Sequence, residues 1–452
     1  MERSFGAEPV VITNFLGPSL LKVLVVGSGG REHALAWRLV QSGGAKAYAA
    51  PGNPGIASIA TCLPVAPTDA PALASITADL GIDLTVVGPE APLAAGLVDA
   101  FAARGLKVFG PTAAAARVEA SKVFAKSLMR RWQIPTADFE VFDNAAEALA
   151  YVRRARGPVV VKADGLAAGK GVVVARTVDE AETAVADLMV RRVHGAAGAR
   201  VVIEECLQGE EASVLALVCG ERVWPLVPAR DFKRAGDGDH GLNTGGMGAI
   251  APAPMAGDVH QQIAEMLERV AAAMVREGRP YTGVLYAGIM VTTDGPKVLE
   301  FNCRFGDPEA QVILPLLEGD LAGIMLDALE TRRPSLRWRD AAAACVVLAS
   351  RGYPGSYHTG CVINGLASPP ADALVFHAGT ATRDGHLVTA GGRVLNVVGL
   401  GPTLDQARER AYAGVSRISF EGMQYRTDIG GRSQATDHGT AVLVSEEAQS
   451  HA

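Results

Sequence analysis

Two residues with hard oxygen donors, Glu300 and Asn302, stand two apart at the polar end of an apolar run, in KVLEFNCRFGDPEAQ (residues 297–311). On an extended strand they share one face, and Leu299 and Phe301 take the other. Oxygen ligands so placed suit a hard divalent cation. Arg304, Asp307 and Glu309 follow at once, a concentration of charge that a half-buried amphipathic strand does not by itself explain. A second stretch, VVVKADGLAAGKGVVVA (residues 159–175), sets valine runs around a small-residue loop with Lys170 at its tip. Gly165, Gly169 and Gly171 are expected to turn with φ > 0 and to let the backbone approach a ligand. Bare amides plus an ammonium hold phosphate. The loop is not a Walker A motif: its spacing before Gly169 is one short, and Gly171 replaces the hydroxyl residue. Lys162 lies inside the apolar run, where a bare ammonium is costly unless an anion is near.

Three further stretches carry polar groups in useful places. GSGGREHA (residues 27–34) lies between a strand and a helix, and Gly29, Gly30 and Arg31 favour an anion at the helix N-terminus. The dinucleotide fingerprint fails there, because Glu32 takes the third glycine position and no acid ends the next strand. This counts against a nicotinamide-dependent oxidoreductase. IEECLQGEEASV (residues 203–214) offers a strand-to-linker hinge with acids around it, Glu210 reading as a solvated edge. RDFKRAGDGDHGLNTGGMGA (residues 230–249) is polar and dense in glycine, so it is expected to lack regular structure; a loop of that length in a compact domain is functional. Lys233 and Arg234 supply cations in it, and NTGGMG a second amide cradle.

These groups need a large scaffold. The chain has 452 residues, enough for two to four domains, with 49% hydrophobic and 20% charged residues. A net charge of −6 argues against a general nucleic-acid or membrane-surface binder, since both want a basic face. Six scattered cysteines show no CxxC spacing, which points to a reducing cytoplasm rather than a disulfide framework. No apolar run reaches the length of a membrane span, and the polar breaks in the first twenty residues argue against a signal peptide. From Lys22, short β-rich runs alternate with helical stretches, the pattern of a doubly wound parallel sheet. EASKVFAKSLMRRW reads as one helix before Pro135. The expected divisions are a disordered extension (1–20), an N-terminal α/β substrate domain (21–121), a small lobe (122–195), a larger strand-rich lobe (196–333), a C-terminal β-rich module (334–427) and a disordered tail (428–452).

Taken in order, VVGSGGREHALAW, APGNPGIA, VVGPEAPLAAGLVD, EASKVFAKSLM, VVKADGLAAGKGV, IEECLQGEEASV, DFKRAGDGDHGLNTGGMGA and LEFNCRFGDPEAQ closely resemble the phosphoribosylamine–glycine ligase family of the ATP-grasp superfamily, from Lys22 to about Arg426. Departures are Phe232 where the family has His, Arg230 for Gln, Leu242 for Pro and Ala310 for Thr. The resemblance implies an α/β and α+β multidomain enzyme, its two middle lobes being the ATP-grasp lobes. It implies ligation of glycine to 5-phosphoribosylamine with ATP, through a glycyl phosphate, in purine biosynthesis. ATP would meet Lys122, Lys162, Gly169, Lys170, Arg234 and Asn243 with its phosphates, the backbone of Glu204, Glu205, Cys206 and Leu207 with its adenine, and Glu211 with its ribose. Glu300 and Asn302 would hold Mg2+ or Mn2+. Gly29, Gly30, Arg31, Asn53 and Arg304 would bind substrate, and Arg304, Lys170 and Asp307 would act in catalysis. The partners are small molecules, without nucleic acid or membrane, and a monomer is expected. Another ATP-grasp ligase or carboxylase is the nearest rival.

Overall fold

The computed structural model describes residues 20–167, 171–255, 257–366 and 373–431. Gly169 and Lys170 lie outside the described residues, as do residues 1–19 and 432–452. The first module is the expected parallel sheet. Its strands are β1 (Leu21–Gly27), β2 (Ala45–Pro51), β3 (Thr61–Cys62), β4 (Leu84–Val87) and β5 (Val108–Phe109), in the order β3-β2-β1-β4-β5. Alternate residues of β1 feed two cores: Val23 and Val25 on one face, Leu24 and Val26 on the other. A strand buried on both faces reads as a continuous apolar run, as LKVLVVG does. The order reverses beside β1, and open α/β sheets bind ligands at such a point, beyond the strand C-termini. There the chain turns at Gly27, φ +128°, into the helix Gly30–Gln41.

The stretch read as one helix is two, Ala113–Ala120 and Lys122–Arg131. Ser121 interrupts it in an extended conformation; its hydroxyl accepts from the Phe124 amide at 3.1 Å and donates to Asp164 at 2.8 Å. Serine is a good N-cap, so the break restarts the helix with Lys122 in its first turn. The small lobe follows as β6 (Phe139–Phe142), β7 (Val159–Ala163), β8 (Val172–Ala175) and β9 (Val201–Glu205), an antiparallel sheet in the order β6-β9-β7-β8. Gly165 and Gly171 do not take the expected positive φ. Gly165 is needed instead for close packing: a Cβ there would lie 2.9 Å from the Ala197 Cα.

The larger lobe contains β10 (Glu210–Cys219), β11 (Arg222–Pro225), β12 (Arg230–Asp231), β13 (Arg234–Gly236), β14 (His240–Asn243), β15 (Gly248–Ala251), β16 (Thr282–Thr292) and β17 (Gly295–Asn302). Its sheet runs β11-β10-β16-β17, backed by the amphipathic helix Val259–Arg276. Residues 230–249, expected to lack regular structure, form a short hairpin of β13 and β14 flanked by β12 and β15.

The remaining strands are β18 (Leu317–Glu318), β19 (Arg337–Trp338), β20 (Ala342–Ala349), β21 (Ala373–His377), β22 (Thr380–Arg383), β23 (His386–Thr389) and β24 (Arg393–Gly401). The C-terminal sheet runs β12-β15-β20-β24-β21, so two strands from the larger lobe complete it. A helix, Leu404–Val415, capped by Thr403, packs on β24 and β20 of this β-rich module. The tail expected from residue 428 is folded at its start, with Ile429 fully buried. No helix among the described residues is long and apolar enough to cross a membrane.

Candidate active site

Glu300 and Asn302 lie at the C-terminal end of β17, opposite Gly288 and Tyr286 of β16. The register slips beside them, so the strict alternation expected of this strand fails at Leu299. Val298 and Phe301 are the buried pair, and the Leu299 carbonyl accepts from Lys162 Nζ at 3.1 Å. The Glu300 carboxylate has no hydrogen bond or ion pair among the described residues. Burial pushes its carboxyl up, but Lys122, Lys233, Lys162 and Arg304 outweigh that and hold it below the usual range. These cations come from separate segments, and three of them also meet carboxylates of their own: Lys162 meets Glu204, Lys233 meets Glu211, and Arg304 meets Glu119 and Glu90. No group of three or more His, Cys, Asp or Glu forms a metal cage among the described residues. Glu300 and Asn302 are oxygen donors of the kind a hard divalent cation takes.

The anion that Lys162 requires comes first from the protein. Glu204 Oε2 lies 2.9 Å from both Lys162 Nζ and Lys126 Nζ, and all three side chains are buried. Burial lowers the Lys126 ammonium to about 8, against the raising effect of Glu204, and Lys162 lowers it further. The cluster carries one positive charge in excess, and Glu204 Oε1 is buried without a partner. Glu204 thus supplies more than the backbone expected of it. Glu205 is exposed at the end of β9, 3.5 Å from Lys297. Cys206 and Leu207 form the linker to β10, where Glu211 meets Lys233 at 3.1 Å. Burial opposes the Lys233 ammonium, but Asp231 and Glu211 raise it above its ordinary value.

Arg234 and Asn243 face each other across the β13–β14 hairpin. The Arg234 guanidinium donates to the Gly241 carbonyl at 2.9 Å. Beside them a cleft of about 670 Å³ opens toward β8 and the helix Val178–Val185, lined by Arg176, Glu180, Arg234 and His240.

At the far side of Glu300 the first module, β17 and the C-terminal module converge. Gly29 caps the helix Gly30–Gln41, and its amide donates to Glu32 at 2.5 Å. The side-chain amides of Asn396 and Gln311 fill the space a Cβ on Gly30 would need. Arg31 pairs with Glu32 at 2.5 Å and donates to the Phe305 carbonyl at 3.2 Å. Arg304 reaches Glu119 at 3.3 Å and Glu90 at 3.4 Å, and Asn302 Oδ1 at 3.4 Å. These long contacts leave its guanidinium open to a better acceptor.

Two further expected site residues are held by neighbours here. Asn53 has both amide hydrogens committed, to the Ser28 and His377 carbonyls at 2.8 Å each, and its oxygen caps Ile56 at 2.9 Å. Its side chain braces the glycine-rich turn. Asp307, expected in catalysis, binds Arg393 at 2.8 Å and Gln311 at 2.6 Å. Burial raises its carboxyl, and Arg393, Arg31, the Gln311 hydrogen bond and Arg304 together hold it below the ordinary range. It clamps β17's following loop to the C-terminal module.

Sequence reasoning missed Lys126, Glu90, Glu119, Arg393 and Arg426. Glu90 had a signal: it follows β4 directly, at the ligand-binding end of the parallel sheet. The others act through partners distant in the chain, such as the Glu119 carboxylate, which accepts from the Cys303 amide at 2.7 Å.

Comparison with known proteins places the chain in a family. Family models described as phosphoribosylglycinamide synthetase match in three parts: the N domain at residues 21–119, the ATP-grasp (A) domain at 120–310 and the C domain at 343–432. The phosphoribosylamine–glycine ligase of Halalkalibacterium halodurans is 50% identical over 418 residues, 92% of this chain and 98% of that one. That of Pseudomonas aeruginosa is 50% identical over 428 residues, 93% of this chain and 100% of that one. Among solved structures, the Thermotoga maritima phosphoribosylamine–glycine ligase superposes with a TM-score of 0.81 at 36% identity, covering 90% of this chain and 100% of that one. A biotin carboxylase from Campylobacter jejuni, at 15% identity and TM-score 0.70, covering 91% of this chain and 94% of that one, shares the fold.

Proposed function

The chain belongs to the phosphoribosylamine–glycine ligase family of ATP-grasp enzymes, and from that premise we propose how its residues divide the work. The reaction joins glycine to 5-phosphoribosylamine with ATP, the step of purine biosynthesis that forms glycinamide ribonucleotide. Glycine's carboxylate is a poor electrophile. Transfer of the ATP γ-phosphoryl group to a carboxylate oxygen gives glycyl phosphate and ADP. The amine of phosphoribosylamine then attacks the acyl carbon, the C–O bond to phosphate breaks, phosphate departs with the electron pair, and the amine loses a proton. The protein's contribution is positioning and charge neutralisation.

Lys122, Lys162, Arg234 and Asn243, with Gly169 and Lys170 of the loop tip, take the triphosphate. The backbone of Glu204, Glu205, Cys206 and Leu207 takes the adenine edge, and Glu211 the ribose. Glu300 and Asn302 would hold a divalent cation, Mg2+ or Mn2+, which when bound would offset phosphate charge. The Gly29–Gly30 turn with Arg31 forms the sugar-phosphate corner, where a phosphate would compete with Glu32 for the Gly29 amide, and Arg304 stands between that corner and Glu300 to hold an anionic substrate group. All these residues come from one chain, so a monomer suffices. We place the enzyme in the cytoplasm, a reducing compartment consistent with six unpaired cysteines.

The observation that carries this reading is the pair Glu300 and Asn302 side by side at the end of β17, with Lys162 at the Leu299 carbonyl next to them. ADP release tests it. Release should require both glycine and freshly generated phosphoribosylamine; equal release with bicarbonate in place of glycine would favour a carboxylase instead.

A further inference from the structure

Arg426 is among the largest fully buried side chains, at 1% exposure. A buried guanidinium is costly unless every part of its fork is met. Here Nε and one terminal nitrogen bind Asp428 at 2.7 and 2.6 Å. The other terminal nitrogen binds Asp239 at 2.7 Å and the Arg234 carbonyl at 3.2 Å. Its plane lies over Phe232, 5.1 Å from the ring centre. Asp239 and the Arg234 carbonyl belong to the β13–β14 hairpin, nearly two hundred positions earlier in the chain.

The neighbours of Arg426 repeat the connection. The Thr427 amide donates to Asp237 at 2.8 Å, its hydroxyl donates to the same carboxylate, and the Gly238 amide donates to Asp428 at 2.8 Å. The segment is itself held. Tyr412 donates to the Arg426 carbonyl at 2.8 Å and accepts from the Ile429 amide at 3.1 Å, and Arg408 donates to the Thr427 and Ile429 carbonyls. A hairpin exposed at its tip is thereby tied to a strap seated on the helix Leu404–Val415.

We propose that Arg426 is a positioning residue for ATP: through Asp239 and the Arg234 carbonyl it sets the angle at which the hairpin presents Arg234 and Asn243 to the nucleotide's phosphates. The inference rests on the reading of Arg234 and Asn243 as phosphate contacts. Fixing a hairpin before the ligand arrives removes an ordering cost that binding would otherwise bear. The C-terminal module then takes part in nucleotide recognition through the hairpin it holds.

The test uses the full-length enzyme and cuts the strap from the exposed hairpin side, with the double variant Asp237→Ala/Asp239→Ala, beside Arg426→Lys, which keeps the charge but not the fork. The KM for ATP should rise roughly tenfold, with the KM for glycine unchanged within about twofold. Amide hydrogen exchange at residues 234–243 should quicken in the nucleotide-free enzyme, while the melting temperature of the double variant stays near that of the parent. An unchanged KM for ATP, or a parallel rise in both KM values with a lowered melting temperature, would overturn the proposal. Arg234→Ala separates the premise from the inference. If its KM for ATP is normal, the phosphate reading fails and takes the strap's role with it. If it is raised while the strap variants bind ATP normally, only the strap fails.

Discussion

Glu204 shows how one carboxylate can hold an active-site wall. It neutralises one of two buried lysines, Lys126 and Lys162, with both ammonium groups on the same oxygen. Removing its charge strands two buried cations, whereas removing Lys126 leaves an electroneutral Lys162–Glu204 pair. Breaking a buried pair by deleting one partner costs on the order of 3–5 kcal/mol. Glu204→Gln should therefore lower the urea midpoint by several kilocalories' worth of stability and weaken ATP binding. Lys126→Met, apolar and of similar length, should be far milder. Equal losses in the two variants would show that Glu204 does not act as the shared counter-charge. Glu300 belongs to the same scale but not to the same ledger, since no hydrogen bond or ion pair reaches it among the described residues. Glu300→Ala should keep the fold and lose turnover by roughly 10²–10³-fold, the scale of removing one preorganised electrostatic group. Near-normal metal-dependent turnover would remove its assignment.

At the scale of elements, the legible features were those written in neighbouring residues. LKVLVVG followed by GSGG and an amphipathic run gives a buried strand, a turn and a helix, and the structure has all three. The apolar run ending in Glu300 and Asn302 likewise gives β17. What failed were inferences in which a local signal had two physical outcomes. Glycine at 165 could serve a left-handed turn or a close contact, and the nearby Ala197 backbone, invisible in the sequence, decides for contact. Residues 230–249 looked irregular because the groups that organise them, Arg426 and Asp428, stand far along the chain. Lys162 was singled out for the right reason, but its partner lies 42 positions away, and no pattern in one strand names a residue in another. The element-scale prediction follows from Gly165. Gly165→Val forces side-chain atoms onto the Ala197 backbone, so the small lobe should lose stability by about 1–3 kcal/mol, the usual cost of overpacking. Proteolysis sites within residues 122–205 should open before those of the first module. A variant as resistant as the parent would mean that the 195–199 turn moves aside freely.

The whole molecule is closed by the contact between its first and last modules, and that contact carries a titration. His33, on the helix Gly30–Gln41, accepts from the His377 amide through Nδ1 at 2.8 Å, and the two rings meet edge-on with centres 5.6 Å apart. Burial lowers His33 to about 3, helped by the neighbouring His377, and burial lowers His377 to about 4. Both are therefore neutral in the folded enzyme across the physiological range, while in the unfolded chain they titrate near the ordinary histidine value of about 6.5. As pH falls below about 6.5 the unfolded state takes up protons that the folded state refuses, so stability declines. The loss grows until pH reaches the folded values near 4 and 3, below which it is complete; above about 6.5 the contribution is whole. Each histidine adds a slope of up to about 1.4 kcal/mol per pH unit in that window. The carboxylates held low, Glu90, Glu300 and Asp307, act in the same direction but only below about pH 4.5. The interval from pH 6.5 to 5 holds the histidines and one opposing group: burial raises Asp231 to about 7, so the folded enzyme takes up its proton there and offsets part of the histidine slope. In His377→Asn, which cannot take up a proton, the fall in melting temperature over that interval should be smaller than in the parent. His33→Asn, which keeps an acceptor for the residue 377 amide, should do the same, and the double variant should fall least. An undiminished fall in the double variant would mean that some other group, elsewhere in the fold, governs the acid limb.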